Sequence, residues 1–222
     1  MGIVLIVLTC VIAYLAGSVN SSIILSKALS GKDIRESGSG NAGATNMLRT
    51  YGKKLAVITL ILDVLKGCIG VWIGMLISHL AGIYLTGDSY NNSMHVFPYL
   101  KLCGGFFVSL GHNYPVFFKF KGGKGVATSL GVLLALNWIV GLVVFVLTIG
   151  IMALTKYVSF GSIMSSLIYL CTDLVRMYIV NDFDIIYIVF DILLGAMLVF
   201  RHKENIKRLL SGTENKLGQK KK

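Results

Sequence analysis

The sequence predicts an all-α integral membrane protein with seven transmembrane helices, an external N-terminus and a cytoplasmic C-terminus. Of its 222 residues, 55% are hydrophobic and 14% are charged, whereas charged residues make up about 25% of a typical soluble domain. Long apolar runs recur along the chain, and most of its basic residues lie between them. These observations indicate one polytopic membrane domain over residues 1–222. Nucleic-acid binding is disfavoured, because no basic stripe with interleaved aromatic residues stands apart from the apolar runs.

The lengths of the apolar runs set the predicted number of membrane crossings. A helix rises about 1.5 Å per residue and must cross a hydrocarbon core of about 30 Å. As one helix, the run 126–155 would be about 45 Å long, which is too long for a single crossing. We therefore expect two short spans there, with a turn near Asn137 and Trp138, and polar loops over 81–96 and 173–184. The predicted spans are approximately 3–25, 55–80, 97–110, 126–137, 138–155, 160–172 and 185–200.

The distribution of lysine and arginine predicts the orientation. With seven spans and an external N-terminus, the cytoplasmic segments hold 18 of the 21 basic residues, in accord with the excess of positive charge found on the cytoplasmic side of membrane proteins. If the run 126–155 were one helix, the basic C-terminal tail would lie outside. The first apolar run has no basic region ahead of it, so we expect a retained span and not a cleaved signal peptide. The predicted cytoplasmic segments are 26–54, 111–125, 156–159 and 201–222.

The cysteines and histidines do not indicate a disulfide framework or a metal site. All four cysteines lie in or beside apolar runs, and no two of them form a Cys-x-x-Cys pair, so we expect small packing residues. The four histidines lack the spacing of metal ligands. We therefore expect neither a metal nor a cofactor. The cysteines are Cys10, Cys68, Cys103 and Cys171.

A glycine-rich stretch from Gly38 to Arg49 is the first candidate anion-binding segment. Glycine lets backbone N–H groups turn toward one point, hydroxyl and amide side chains add donors, and the arginine adds a forked cation. This combination is typical of sites that hold a phosphate. The alternative is a flexible, solvated loop. The expected ligands are Gly38, Ser39, Gly40, Asn41, Thr45, Asn46 and Arg49.

A second candidate segment is the turn over residues 122–125, Gly-Gly-Lys-Gly. It is not a Walker A loop, which would need glycine at position 118 and serine or threonine at 125, where this chain has Phe118 and Gly125. A lysine flanked by glycines can still reach an anion as a point charge. The alternative is an anchor for lipid headgroups. Asp63 and Lys66 lie three residues apart in the second span and are expected to pair, either as a structural ion pair or as part of the site.

A third candidate segment follows the last span. His202 and Asn205 share one face if that span continues as a helix beyond the membrane. His202 can donate to a phosphate or take a proton, and the alternative is capping of the helix C-terminus. The predicted orientation puts this segment, Ser159 and the two glycine-containing segments on the cytoplasmic side. We expect these distant polar segments to form one phosphate-binding site.

Three motifs resemble those of a known family. They are Gly38–Arg49 followed by Tyr51-Gly52, the segment from Gly111-His112 through Pro115 to Gly122–Thr128, and the segment from Arg201-His202 to Glu214. In this order they are similar to the motifs of the bacterial acyl-phosphate:glycerol-3-phosphate acyltransferases, the PlsY family. The resemblance covers nearly the whole chain. It implies seven spans and an active site at the cytoplasmic face of the bacterial plasma (inner) membrane.

The resemblance also implies a reaction and its site residues. A fatty acyl group passes from acyl phosphate to the 1-hydroxyl of sn-glycerol 3-phosphate, giving 1-acylglycerol 3-phosphate (lysophosphatidic acid) and phosphate, the first acylation of phospholipid synthesis. The implied partners are these two substrates and membrane lipids, and a contact with the soluble enzyme that makes acyl phosphate is also compatible with it. Ser39, His202 and Asn205 are the implied catalytic residues, and the implied phosphate-binding residues are Gly38, Gly40, Asn41, Thr45, Asn46, Arg49, Gly122, Gly123, Lys124 and Ser159.

Two other classes of protein remain as alternatives at this point. A binder or transporter of organic phosphates would load the same site from the cytoplasm, but the outer halves of the spans offer little polarity for an outward path. A structural scaffold would leave the clustered anion ligands unexplained. For the acyltransferase we expect direct attack without an acyl-enzyme, because no Ser-His-Asp arrangement is evident and the cysteines lie at the level of the lipid.

Overall fold

The structure, a computed structural model, describes residues 1–86 and 97–217, and every regular element in these ranges is helical. The prediction of an all-α chain is therefore confirmed for the described residues. Most of the predicted loop 81–96, from residue 87 on, lies outside them. The helices are α1 Gly2–Ser18, α2 Ser21–Ser30, α3 Ala44–Tyr51, α4 Lys53–Thr86, α5 Leu100–Asn113, α6 Val126–Leu136, α7 Trp138–Thr155, α8 Val158–Val180, α9 Ile185–Arg201 and α10 Lys203–Leu210, with short 3-10 turns at Ile34–Glu36 and Val116–Phe118.

Several of these helices are long and apolar enough to cross a membrane. By length and composition there are four such segments among the described residues, and the bent pair α9 and α10 makes a fifth when it is counted as one span. Helix α6 is apolar but shorter. The seven-span count and its orientation therefore stay predictions. The four segments are Gly2–Ser30, Lys53–Leu85, Trp138–Thr155 and Val158–Val180.

The first predicted span, 3–25, is not one continuous helix. Val19 is extended at the end of α1, and the fully buried Asn20 starts α2 by accepting a hydrogen bond from the Ile23 N–H at 3.1 Å. Asparagine is favoured at this position because its side-chain oxygen binds an N–H group that lacks a partner within the helix. A similar cap occurs at Asn137, whose side chain accepts from two N–H groups at the start of α7. The turn expected near Asn137 is therefore present.

Two helices are longer than the sequence pattern predicts. Helix α4 continues through residues 81–86, and α8 continues to Val180, so the loops expected over 81–96 and 173–184 are wrong for their described first residues. In α8, the guanidinium of Arg176 donates from Nε to Asp173 Oδ1 at 2.6 Å. Charged residues three apart on a helix pair in this way, which lets polar residues lie within a helix instead of ending it.

The chain divides into two compact units, Met1–Leu136 and Asn137–Lys222. In the first unit, glycines allow helices to approach closely. A Cβ on Gly17 of α1 would collide with the Val108 carbonyl of α5, and one on Gly131 of α6 would collide with the Val64 carbonyl of α4. Such small residues are favoured where membrane helices pack backbone against backbone. An apolar cluster of Ile23, Ile34, Ala42, Met47 and Ala56 lies under the segment between α2 and α4.

In the second unit, α8 packs against both α7 and α9. The segment after α10 returns to the start of α8, where the Leu217 N–H donates to the Lys156 carbonyl at 2.7 Å and Lys216 lies over the Tyr157 ring. This return places the last described residues beside the N-terminus of α8.

Candidate active site

The first candidate segment forms a loop in unit 1 that is hydrogen-bonded to the rest of the unit. We call residues 38–43 the glycine loop. Gly38 and Gly40 have φ of 60° and 73°, a backbone region that glycine adopts at little cost. The loop leads into α3, which begins at Ala44. The N-terminal N–H groups of a helix carry partial positive charge and are a common anion site, so this geometry suits a phosphate.

Asn46 holds the glycine loop from the inside. Its side chain is fully buried; Nδ2 donates to the carbonyls of Ile34 and Ser37, both at 3.0 Å, and Oδ1 accepts from the Ser39 N–H at 2.8 Å. These bonds engage both amide hydrogens and the oxygen within the protein. The contacts of Asn46 therefore fit a role in shaping the loop better than direct contact with a ligand.

The other expected ligands of this segment are accessible. Ser39 and Arg49 are exposed, as are the two glycines with positive φ, and Asn41 and Thr45 are partly buried. Arg49 lies in α3, three residues after Asn46. The loop thus offers a hydroxyl, a guanidinium and backbone donors to a ligand from one short stretch of chain.

The second candidate segment, which we call the lysine turn, spans residues 122–125 and packs against the glycine loop. The N–H groups of Gly122 and Gly123 donate to the carbonyls of Asn113 and His112, both at 3.2 Å. A Cβ on Gly123 would collide with the His112 ring and would lie 2.7 Å from the carbonyl oxygen of Ala42 in the glycine loop. Only glycine fits at position 123, and the absence of a side chain allows the lysine turn to pack closely against the glycine loop. Lys124 follows directly and is partly buried.

A buried ion pair lies behind the lysine turn. Lys66 Nζ is 3.2 Å from Asp63 Oδ1, as the i, i+3 spacing predicts, and the same oxygen is 3.7 Å from His112 Nδ1. All three side chains are more than nine-tenths buried. Since the His112 ring also contacts Gly123, the pair supports the turn from within unit 1. This favours the structural interpretation of Asp63 and Lys66.

In unit 2, Ser159 and Asn205 meet at a carboxylate that sequence reasoning did not single out. The Ser159 hydroxyl donates to Glu214 Oε1 at 2.9 Å, and Asn205 Nδ2 donates to the same oxygen at 2.7 Å. Arg208 Nε donates to Glu214 Oε2 at 2.7 Å. Ser159, Asn205 and Glu214 are each at least nine-tenths buried. Glu214 thus connects two candidate residues that lie 46 positions apart in the chain.

Glu214 is held in its charged form. Burial disfavours that form, but hydrogen bonds from Asn205, Arg208 and Ser159, together with the charge of Arg208, outweigh it and lower the pKa of the Glu214 carboxyl. In the sequence, Glu214 stands out only as one of two acidic residues in a basic tail and as the end of the third family motif. Its partners could not be inferred, because they depend on the return of the chain after α10.

His202 lies at a bend and not within a continuous helix. Helix α9 ends at Arg201, α10 begins at Lys203, and the two axes differ by 62°, so the expected straight continuation is wrong. The ring is buried, and its Nδ1 lies 2.9 Å from the Leu198 carbonyl oxygen. A carbonyl oxygen only accepts hydrogen bonds, so Nδ1 carries the proton. In the neutral ring, Nε2 is then the atom that can accept a proton.

Each unit thus brings part of the expected site together. Unit 1 joins the glycine loop to the lysine turn, and unit 2 joins Ser159 to Asn205. Within residues 1–86 and 97–217, no group of three or more His, Cys, Asp or Glu side chains is arranged to hold a metal ion. The donors present are hydroxyls, amides, basic side chains and backbone N–H groups, which are ligands for anions.

Comparisons with known proteins agree with this chemistry. The family model described as glycerol-3-phosphate acyltransferase matches residues 7–212. Glycerol-3-phosphate acyltransferases of Thermoanaerobacter pseudethanolicus and Clostridioides difficile are 44% and 41% identical, over 96% and 97% of both chains in each pair. A crystal structure of PlsY, an integral membrane glycerol 3-phosphate acyltransferase, in its glycerol 3-phosphate form has a TM-score of 0.75 at 36% identity, over 96% of each chain.

The fold, the site chemistry and these matches define an integral membrane acyltransferase. The chain belongs to the glycerol-3-phosphate acyltransferase family, and the solved structure to which it is similar is that of PlsY. The resemblance inferred from the three motifs is therefore confirmed. Membership also decides between the alternatives left open by the sequence, because it favours an enzyme of phospholipid synthesis over a transporter or a structural scaffold.

Proposed function

We propose that this chain transfers a fatty acyl group from acyl phosphate to the 1-hydroxyl of sn-glycerol 3-phosphate, releasing phosphate and lysophosphatidic acid. Family membership supports the acyltransferase activity. The acceptor and product are supported by relatives whose structures are described as the glycerol 3-phosphate form and the lysophosphatidic acid form, the latter 34% identical with a TM-score of 0.73. The choice of acyl phosphate as the donor is supported by the resemblance of the three motifs.

The observation that carries the proposal is the contact between the glycine loop and the lysine turn. Gly123 fits between the His112 ring and the Ala42 carbonyl, so two segments rich in anion donors are held as one body. Both proposed substrates bear phosphate, and one product is phosphate itself. A protein that handles these molecules needs many donors in a fixed arrangement, and unit 1 contains such an arrangement.

Within unit 1, we assign the accessible donors to the phosphate groups. Ser39, Arg49 and Lys124, with the N–H group of Gly38, bind the acyl-phosphate headgroup. The other expected glycines, at positions 40, 122 and 123, shape the two segments, because their N–H groups donate to carbonyls within unit 1. Asn41 and Thr45 bind glycerol phosphate. Hydrogen bonds to charged groups contribute about 1.5–3 kcal/mol each. Several of them can hold the leaving phosphate and offset its growing charge in the transition state. Asn46, by its contacts, positions the loop.

Within unit 2, Ser159 and His202 act on the acyl-phosphate side and Asn205 on the glycerol phosphate side. Glu214 holds Ser159 and Asn205 at 2.9 and 2.7 Å from one oxygen, which fixes the direction of both side chains. The Leu198 carbonyl fixes the His202 ring. Residues oriented in this way lose little entropy when substrate binds.

The proposed chemistry is a direct displacement. The 1-hydroxyl oxygen attacks the acyl carbonyl carbon, the bond between that carbon and the phosphate oxygen breaks, and phosphate leaves with the bonding electrons. The hydroxyl proton passes to His202 Nε2 or to a phosphate oxygen, and the pH dependence of His202→Ala turnover distinguishes these two acceptors. After reaction with a radiolabelled donor, no acyl group should remain on the denatured protein.

We also propose the location of the site. The seven-span topology puts all the candidate segments on the cytoplasmic side of the bacterial inner membrane, where 18 of 21 lysines and arginines would lie. Acyl phosphate and glycerol 3-phosphate are anions, so a positively charged cytoplasmic face favours their approach.

The decisive experiment incubates purified protein with glycerol 3-phosphate and one acyl donor at a time. We expect lysophosphatidic acid with acyl phosphate and none with acyl-CoA or acyl carrier protein. Lys124→Ala should lower turnover about 100- to 1,000-fold. Lys121→Ala, which removes an exposed lysine three residues away, is the matched control and should retain activity. Product from acyl-CoA alone, or equal activity of the two variants, would overturn the proposal.

A further inference from the structure

A guanidinium outside the predicted site connects the two anion-binding segments of unit 1. Arg35 lies three residues before the glycine loop. Its Nη1 donates to the carbonyls of Phe118 and Lys121, at 2.8 and 2.9 Å. Those two residues lie 83 and 86 positions further along the chain, within the four residues before the lysine turn. The Arg35 side chain therefore links the residues before the glycine loop to the residues before the lysine turn.

The other edge of the guanidinium is fixed by a carboxylate. Arg35 Nε and Nη2 donate to the two oxygens of Asp33 at 2.9 and 2.7 Å, the forked pairing for which arginine geometry is suited. The hydrogen bonds from Arg35, together with its charge, outweigh burial and lower the pKa of Asp33 to about 2. Asp33 also accepts from the Arg35 N–H at 3.1 Å. The pair is therefore charged, and the guanidinium has a fixed direction.

The segment that Arg35 holds has an unusual backbone. Lys119 and Phe120 have φ of 58° and 57°, although residues with a Cβ seldom adopt this left-handed region. The Phe120 N–H donates to the Pro115 carbonyl at 2.9 Å, and Arg35 binds the carbonyls on either side of the two residues. Strained backbone persists only where surrounding contacts determine it, and it occurs often at functional sites.

We propose that Asp33 and Arg35 are positioning residues for the acyl transfer: they set the lysine turn, and with it Lys124, against the glycine loop. The inference rests on the proposed function, since it gives Lys124 a phosphate to bind. Arg35 acts through Lys124 and does not touch the substrate. A guanidinium is required for this role, because a lysine at the same position cannot reach two carbonyls and a carboxylate in one plane.

A double-mutant cycle between Arg35 and Lys124 tests the coupling. Arg35→Ala should lower turnover about 100-fold, the scale of a misplacement by about 1 Å. Arg35→Lys, which keeps the charge, should show most of this loss. In a Lys124→Ala background, Arg35→Ala should cost less than about threefold, because the group it positions is gone. Equal losses with and without Lys124 would overturn the proposal.

Lys27→Ala is the matched control. Lys27 Nζ lies 3.5 Å from the same Asp33 carboxylate, but its side chain is 53% exposed. Exposed ion pairs contribute little, so this variant should stay within about twofold of wild-type turnover. A loss in Lys27→Ala as large as that in Arg35→Ala would mean that removing any cation beside Asp33 lowers turnover, and it would overturn the specific role of Arg35.

Hydrogen–deuterium exchange tests the clamp without relying on activity. In Arg35→Ala, amides over residues 114–125 should exchange faster than in wild type, whereas Lys27→Ala should leave them unchanged. Unchanged exchange in Arg35→Ala would overturn the clamp even if the enzyme is active. If wild type forms no lysophosphatidic acid from acyl phosphate, the proposed function fails, and the exchange result still decides whether Arg35 holds the turn.

Discussion

Replacing Glu214 is the sharpest test of how unit 2 is organised. The carboxylate accepts hydrogen bonds from Ser159, Asn205 and Arg208 at 2.7–2.9 Å and is 8% exposed. Glu214→Ala leaves the Ser159 hydroxyl and one Asn205 amide hydrogen without this acceptor. Removing one partner of a buried charged network typically costs about 3–5 kcal/mol. Because the Arg208 side chain is 41% exposed, water replaces part of its bond, and we expect the lower end of that range.

The assay unfolds the purified protein in detergent and monitors unfolding by the reaction of its free cysteines with a thiol-reactive dye. Glu204→Ala is the matched control, since Glu204 lies in α10 and its contact with Lys207, at 3.4 Å, is exposed to solvent. We expect Glu204→Ala to change the free energy of unfolding by less than about 0.5 kcal/mol. Similar losses in the two variants would refute the assignment of Glu214 as the central acceptor.

Three further predictions follow from unit 1 and from helix packing. Arg49→Ala should lower turnover by about 100-fold or more while membrane insertion is unchanged; near-normal product formation would contradict the role of Arg49. The pKa of Asp33 is about 2 instead of its usual 3.8, so its charged form should contribute about 2 kcal/mol to the free energy of unfolding at pH 7. This contribution should be lost as the pH falls from about 4 toward 2, as measured by the free energy of unfolding against pH. Asp33→Asn should remove the acid-sensitive part, and a pH profile identical to that of wild type would refute the prediction. Gly131→Ala should destabilise by about 1–3 kcal/mol, whereas Gly150→Ala, where a Cβ meets open space, should not; equal thermal stability of the two variants would refute the close approach of α4 and α6.

The features predicted correctly are those that depend on local sequence. Apolar length predicts the helices, the 30-residue run predicts the turn at Asn137, and i, i+3 spacing predicts the contact between Asp63 and Lys66. The three motifs identify the family, because each combines glycine with hydroxyl, amide or basic side chains in one short stretch of chain. Local chemistry of this kind can be read from the chain directly.

The features missed depend on contacts between distant residues. Arg35 was counted only as a basic residue of a cytoplasmic segment, since nothing near it in sequence indicates the carbonyls of residues 118 and 121. Glu214 became a site residue only through the return of the chain to α8. The extension of α8 past Asp173 was missed because a charge pair within the helix lets it continue, whereas a pattern of polar residues alone is typical of a loop.

The candidate segments of both units can form one active site only if they face the same compartment. The direct measurement places single cysteines at exposed positions beside them, Lys121→Cys and Lys203→Cys, in a variant whose four native cysteines are replaced by alanine. Each is treated with a membrane-impermeant maleimide in intact cells and in inverted membrane vesicles. We predict that both cysteines react only in the inverted vesicles. Reaction of one of them in intact cells would separate Lys124 from His202 across the membrane and contradict the proposed enzyme.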